Sequence, residues 1–392
     1  VWGVVYLSGV SMQRDCFTED QQQFRDAYRR FLEQEVLPHR EAWRKAGIVP
    51  REIFLKMGEQ GYLLTWAPEE LGGLDLEDFR YQQIMIEEDG RYGEVGLFHT
   101  LHSRLVAPYL KHFGNPEQQQ RFIPKCVTGE CILAVAMTEP DAGSDLAGMK
   151  SRAEDKGDHW LLNGSKVYIS NGILANAVIV AAKSNPEKPR EMTLFIVEAG
   201  MEGFERGRNL DKLGLKAQDT AELFFNDVKI PKANVLGEVG RGMHHLMQGL
   251  AEERLITACI SLAAAQCAFD LTKEYVEDRK AFGKALSEQQ NTRFKMANMR
   301  TEIDVAQAFI DQCVAQHNKG KLTATSASQA KLYCSEVEGR MVDEGVQLHG
   351  GAGYMQEYEI CNLYANARIS RILAGTSEIM KEIIARSIFE KR

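Results

Sequence analysis

Glu252, Glu253 and Arg254 lie inside the stretch GMHHLMQGLAEERLITA (242–258), and their residue types point most directly to chemistry. Met243, Leu246, Met247, Leu250 and Arg254 recur at three- and four-residue steps, which predicts a helix carrying them on one side. On an exposed face the triplet would be a solvated charge cluster. In an apolar groove, one of the two glutamates would have its charged form penalised and its pKa raised, which suits a general base. The apolar residues around it would then be helix core, or the wall of a binding groove.

Five further stretches carry candidate contacts. MTEPDAGSD (137–145) closes a strand and opens a loop whose hydroxyls and free N–H groups suit a planar cofactor or an anion, although its residues are also ordinary turn formers. KVYISNG (166–172) puts Tyr168 and Ser170 two residues apart, on one strand face, where a ring could stack and a hydroxyl could bond. DRKAFGK (278–284) lies at the junction of two long helices, and its Arg279 could pair with phosphate. QLHGGAGY (347–354) breaks a helix into a glycine run that a ligand can approach closely. AGTSEI (374–379) opens the last helix, whose N-terminal amides can take an anion. Neither the glycine run nor GEVGRG (237–242) follows a strand and opens a helix as a dinucleotide-binding turn must, so a dinucleotide-binding fold is rejected. His99 and His102 are three apart but have no acidic or cysteine ligands at metal spacing, so core packing is expected and no metal.

The 392 residues have 44% hydrophobic and 26% charged content and a net charge of −8, an ordinary balance for a soluble chain of two or three domains. Without a basic block, nucleic acid is a poor candidate partner. A CoA ester remains possible, because local cations and helix N-termini matter more than net charge. The eight cysteines form no CxxC pair and are expected to be reduced thiols in a cytosol or matrix compartment, not in a secreted protein. Residues 1–11 are apolar but too short to span a bilayer and lack a positive n-region; they are expected to be an extension before Met12.

The elements that must position these residues fall into three blocks. Residues 12–130 have helical periodicity, opened by a capping box at Thr18, with a further helix start at Asn115-Pro116. Residues 131–238 hold short β-rich runs with no alternating helices, which predicts an antiparallel β-sandwich or small barrel. Residues 239–392 hold periodic runs at 242–279, 287–318, 324–347 and 366–389, which predict a four-helix bundle. The expected class is α+β, ordered helical domain, β domain, helical bundle.

In this order and at these spacings the stretches resemble the acyl-CoA dehydrogenase family, from about Thr18 to the C-terminus. LNGSKVYISNG, LGLKAQDTAELFF, LMQGLAEERL and IMKEIIARSI are most similar to its long-chain members. The resemblance implies FAD between the β domain and the bundle, and a homotetramer (a dimer of dimers) in which a neighbouring subunit completes each FAD site. It also implies electrons passed to electron-transfer flavoprotein, docked near the flavin. Carried over by position, Ala136, Met137, Thr138, Ser144, Tyr168, Ile169 and Ser170 line the flavin. Arg279, Phe282, Gln290, Gln347, Gly350 and Gly351 serve the neighbour's FAD, and Thr376 and Glu378 match the terminal flavin motif. Tyr168 and Ser170 stand where the family often has Trp and Thr, keeping ring and hydroxyl. Ser144, His244, Ala251, Arg254, Ala374 and Gly375 are the implied acyl-CoA contacts.

One departure bears on the chemistry. Medium- and short-chain members of the family carry their base immediately before the Gly-Thr of the terminal motif, and here that residue is Ala374. Long-chain and isovaleryl members take it from a bundle helix, directly before an Arg, which is the position of Glu253. The resemblance thus makes Glu253 the base and Glu252 a surface or supporting charge. A main-chain N–H at position 374 would still hold the thioester carbonyl. Arg254, if close, would oppose the rise in the glutamate's pKa.

Three rivals remain at this stage. A branched, isovaleryl-type enzyme also pairs a helix Glu with AGT, although Ala251 stands where Asp is expected in it. An acyl-CoA oxidase is disfavoured by length and by the ending Glu390-Lys391-Arg392. A catalytically inactive FAD or acyl-CoA binding protein would follow if no base existed. The compartment would be the mitochondrial matrix in a eukaryote and the cytoplasm in a bacterium.

Overall fold

The computed structural model describes residues 12–93, 96–188 and 190–389. The expectations for residues 1–11 and for the last three residues lie outside this set. The first helices are α1 (Glu19–Phe31), α2 (Arg40–Ala46), α3 (Glu52–Glu59), α4 (Arg80–Arg91), α5 (Ala107–Phe113) and α6 (Pro116–Val127). The capping box forms at Thr18 with Gln21, and a second forms at Asn115 with Gln118. A wide π-type turn, Leu101–Val106, leads into α5.

His99 and His102 are packing groups, as expected. His102 Nε2 bonds the Cys126 carbonyl at 2.9 Å, and its Nδ1 accepts the Leu133 N–H at 3.1 Å. Burial pushes its pKa down to about 4, so the ring is neutral. His99 Nε2 meets Asp89 at 2.8 Å. Among the described residues no group of His, Cys, Asp and Glu could hold a metal ion, and the eight cysteines are free.

The middle strands are β1 (Leu133–Ala136), β2 (Arg152–Asp155), β3 (His159–Ser170), β4 (Ala177–Lys183), β5 (Met192–Glu198), β6 (Phe204–Asn209), β7 (Thr220–Pro231) and β8 (Val235–Leu236). They join in one sheet ordered β6-β7-β3-β2-β4-β5-β8, with β1 also on β4. The expectation of purely antiparallel pairing is corrected here. β1 runs parallel to β4 from Leu133↔Ala177 to Ala136↔Val180, and β2 meets β4 in parallel at Arg152↔Lys183. The β2–β3 hairpin lies between β1 and β4 in sequence and gives the long connection that a parallel pair needs. Run composition reveals strands but not their partners. Alternate residues of β4 enter different cores: Ile179 and Ala181 join that of the N-terminal helices, Val178 and Val180 the other face.

The C-terminal part holds α7 (Gly242–Asp278), a hairpin of β9 (Lys280–Ala281) and β10 (Lys284–Ala285), α8 (Gln290–His317), α9 (Ala324–His349), α10 (Glu359–Ser370) and α11 (Ser377–Phe389). The run expected at 366–389 is therefore two helices. Ala374 at φ 56° and Gly375 at φ 89° are left-handed and cannot continue a right-handed helix. α7 packs along α9 and also meets α4, α8 and α10. Its 37 residues are apolar enough to cross a bilayer, but the apolar stretch is mostly buried within the fold, as in a core helix. The single apolar side expected for 242–258 is not found: Leu246 is buried, whereas Met247 is exposed to solvent.

α4 crosses α7 at Gly90, where an added Cβ would stand 2.4 Å from the Cβ of Ala263. That approach sets the distance between the N-terminal helices and the bundle. Gly90→Ala should therefore cost about 1–3 kcal/mol through overpacking, read as a lower urea midpoint at unchanged slope.

Candidate active site

One cavity of about 250 Å3 runs between the N-terminal domain and the bundle. α7 gives it Glu253, Ile256, Thr257, Ile260 and Ala264; α10 gives Leu363, Asn366, Ile369 and Ser370; Leu97, Phe98, Leu101 and Leu105 close the opposite wall. Ser170 ends β3 beside it, and Leu373 and Ala374 come from the break before α11. The fold thus brings together three residues singled out in the sequence: Glu253, Ser170 and Ala374.

Glu253 is half-buried, with the cavity beside it. Desolvation raises its carboxyl pKa to about 7, while the charges of Arg254 and Lys331 pull the other way. A carboxyl poised there can take a proton near neutral pH. Glu252 points elsewhere, between Arg104 Nη1 at 3.7 Å and His317 Nε2 at 3.6 Å. It is a half-buried supporting charge, and the two glutamates are separated by helix geometry alone.

Lys331 was not singled out in the sequence. It is fully buried on α9, and desolvation first, then Arg254, lower its pKa to about 8. Its Nζ donates to the Gly375 carbonyl at 2.7 Å and so pins the break between α10 and α11. A signal existed in the spacing: Ala327, Lys331, Cys334, Glu338 and Met341 form one buried stripe at helical intervals, and two of its members are charged. Glu338 also reaches the cavity.

At the break, the Ala374 N–H has no hydrogen-bond partner among the described residues. Beside it, Thr376 Oγ1 accepts from the Ile379 N–H at 3.3 Å and caps α11. The MTEPDAGSD loop is held by a buried pair, Lys166 Nζ to Glu139 at 2.8 Å, with Glu139 also accepting the Ser151 N–H at 3.0 Å. The Thr138 carbonyl accepts from the Val167 N–H at 3.0 Å, which ties this loop to β3. Ala136 and Ile169 are buried behind it, and Met137 and Thr138 are half-buried. Tyr168 is 69% exposed and Ser170 half-buried, with Ile169 buried between them. The alternation is not that of a plain strand, because the register shifts between Lys166 and Ile169 and Tyr168 has φ 60°.

The remaining candidates lie outside the cavity. Ser144 and His244 are exposed, the latter bonded to Gln248 at 2.9 Å; Ala251 and Gly375 are half-buried, and Arg254 is buried next to Glu253. Arg279 lines a separate cleft with Tyr275 and His349. Phe282, at the tip of the β9–β10 hairpin, is 98% exposed, and Gln290, Gln347, Gly350, Gly351 and Glu378 are exposed as well. A flat, partly charged cofactor fits this donor set: Tyr168 offers a bare ring, Ser170 and Thr138 offer polar atoms, and an added Cβ at Gly350 or Gly351 would meet nothing within 4 Å.

Three family models cover the chain: the N-terminal domain of acyl-CoA dehydrogenase over residues 18–130, the middle domain over 134–228 and the C-terminal domain over 240–389. The chain belongs to the acyl-CoA dehydrogenase family. It is 45% identical over 385 residues to the mitochondrial long-chain specific acyl-CoA dehydrogenase of Sus scrofa, covering 97% of this chain and 89% of that protein. It is 36% identical to the mitochondrial isovaleryl-CoA dehydrogenase of Pongo abelii, over 94% of this chain and 89% of that one. The crystal structure of an acyl-CoA dehydrogenase from Geobacillus kaustophilus superposes with a TM-score of 0.94 at 46% identity, covering 96% of this chain and all of that one. As an acyl-CoA dehydrogenase the protein is an FAD-dependent oxidoreductase.

Ala374 carries backbone strain at the centre of this site, since a left-handed L-residue costs about 1–2 kcal/mol. Ala374→Gly should relieve it. After the extra unfolded-state entropy of glycine, a net gain of about 0.5–1 kcal/mol is expected, measured as a higher chemical-denaturation midpoint.

Proposed function

We propose that this acyl-CoA dehydrogenase oxidises long-chain fatty acyl-CoA to the trans-2-enoyl-CoA, with Glu253 removing the α-proton. The observation that carries this reading is a carboxyl raised to about 7 on the wall of an apolar cavity that also holds Ala374. The acyl chain enters between α7, α10 and the Leu97–Leu105 wall. The C–H bond at Cα breaks with its proton going to the Glu253 carboxylate, the C–H bond at Cβ breaks as a hydride, and a C=C bond forms between them. FAD, when bound, supplies the hydride acceptor. Charge develops on the thioester oxygen as the proton leaves, and the unpaired Ala374 N–H is the donor available to it. Lys331 holds the following carbonyl and so orients that N–H. Losing a side-chain carboxylate at 374 therefore removes a base without removing this donor.

Thr138, Ser170 and Tyr168 would hold the flavin, with Thr376 and Glu378 at its other end. Arg279, Phe282 and Gln290 stand free for a neighbouring subunit's cofactor, which is the basis for a homotetramer. Electron-transfer flavoprotein is the proposed acceptor, in the matrix of a eukaryote or the cytoplasm of a bacterium. The branched-chain alternative is separated by an anaerobic bleaching series of straight acyl-CoAs of graded length against isovaleryl-CoA. Greater bleaching with isovaleryl-CoA than with any long chain would overturn the long-chain assignment.

Glu253→Gln should keep FAD bound but slow flavin bleaching by acyl-CoA by about 10²–10⁴-fold, the usual contribution of a general base. Bleaching at the wild-type rate would sink the assignment. The base must be ionised to act, so kcat/KM should rise with pH through about 7 and level off above it. The Lys331 cation favours the carboxylate. Lys331→Met should therefore move the rising limb to higher pH.

A further inference from the structure

Glu338 is a second acid on the wall of the same cavity, and the proposed dehydrogenation does not use it. It is only 3% exposed, and its Oε2 completes no hydrogen bond among the described residues. Ser261 of α7 stands against its carboxyl from behind the cavity wall. Ser370 of α10 is the third polar neighbour and lines the cavity with Glu338. Ile260, Ala264, Leu363 and Ile369 are the apolar residues around it, with Asn366 also on the wall and the Arg371 and Lys331 cations acting on the acid from nearby. A buried polar atom without a partner is unfavourable, so an apolar acyl chain lying here would leave that cost in place.

We propose that Glu338, with Ser370 beside it, forms a subsite for a hydroxyl group carried on the acyl chain, far from the thioester. A hydroxyl both donates and accepts, so one group can pair with Glu338 and Ser370 together. Desolvation raises the Glu338 carboxyl to about 8 against the pull of Ser370, Ser261, Arg371 and Lys331. At neutral pH it is then mostly protonated and can itself donate. A carboxylate substituent would bring a charge into a buried space, and an alkyl chain would complete nothing; the neutral hydroxyl matches the donors and acceptors present. Its place along the chain follows from the helix. Glu253 and Ser261 are eight residues apart on α7, roughly 12 Å at 1.5 Å per residue. An extended chain advances ~1.2 Å per bond, taking one residue of three bonds as about 3.5 Å. The subsite therefore meets a carbon roughly ten bonds beyond the α-carbon.

This inference rests on the cavity being the acyl site, and the test separates the two. Hexadecanoyl-CoA and its hydroxylated forms, substituted singly from mid-chain to the terminus, are compared by kcat/KM in the FAD-loaded wild type, Glu338→Leu and Glu338→Gln. The same esters are compared by calorimetric Kd in a Glu253→Gln background. In wild type the hydroxylated-to-plain ratio should peak for substitution near the tenth bond from the α-carbon. Glu338→Leu should lower that peak by about tenfold or more in both readouts, because a hydrogen-bonding pocket becomes an apolar one. Glu338→Gln, which keeps two hydrogen-bonding atoms, should retain most of it. A ratio unchanged within about twofold in Glu338→Leu would mean that the acid holds only water or its serines, and would overturn the subsite. Equal loss in the Gln and Leu variants would overturn it too. Failure of every acyl-CoA to bleach the wild type would instead strike at the reading of the cavity itself. Ratios within one variant are insensitive to the fraction folded.

Discussion

The desolvation of Glu253 is the constraint on which the site depends. Burial alone would carry a carboxyl far above neutrality and leave it protonated and inert. Full solvation would leave it near its ordinary value and a weak base. Two cations on different helices set the balance: Arg254 from α7 itself and Lys331 from α9. Each is lowered in its own pKa by the same burial, so the three groups share one desolvated region without closing into a tight ion pair. A tight pair would hold Glu253 ionised well below neutrality and make it a poorer base. The packing of α7 against α9 is therefore a statement about proton affinity as much as about stability.

The second requirement of the proposed reaction is a donor for the oxygen on which charge develops, and the backbone offers one. α10 and α11 would be one helix if residues 371–376 kept right-handed geometry, and their N–H groups would be spent on the helix ladder. The left-handed turn at Ala374 and Gly375 leaves the N–H of a cavity-lining residue out of the helix ladder, at the cost of local strain. The Lys331 bond to the Gly375 carbonyl holds the turn from the other side. One residue thus biases both the base, through its charge, and the donor, through its hydrogen bond. Under the proposed mechanism neither role needs a side chain at 374.

Much of this was legible in the sequence, for identifiable reasons. The capping boxes at Thr18 and Asn115 and the long periodic runs are local signals, and local geometry decides them. The proposal of Glu253 as base rests on Ala374 excluding the other position, an inference that needs the family pattern and not the helix alone. What escaped was set by tertiary pairing. β1 and β4 look like any two apolar strands until a 40-residue excursion makes them parallel neighbours. The break within 366–389 hangs on a single alanine's φ. The hairpin that projects Phe282 hangs on left-handed values at Phe282 and Gly283, 52° and 84°. Arg279, Phe282 and Gln290 were placed by resemblance, and in a single chain they face solvent.

Lys331 and Glu338 show a different limit. Their spacing of seven puts them on one face of α9, roughly 10 Å apart along the axis. At that separation and an effective dielectric near 20, opposite charges attract by only about 1–2 kcal/mol. Burying each ion costs several kcal/mol, so the pair cannot hold both charges by mutual attraction. Lys331 keeps its charge because Glu253, Glu336 and Glu378 also favour it. Glu338 faces an apolar cavity end and two serines, and there the cheaper state is the neutral acid. The same helix stripe thus presents a cation beside Glu253 and a neutral acid at the other end of the cavity. A sequence pattern that writes both positions as charged residues in a buried stripe cannot distinguish them; the difference arises from what α7 and α10 place opposite.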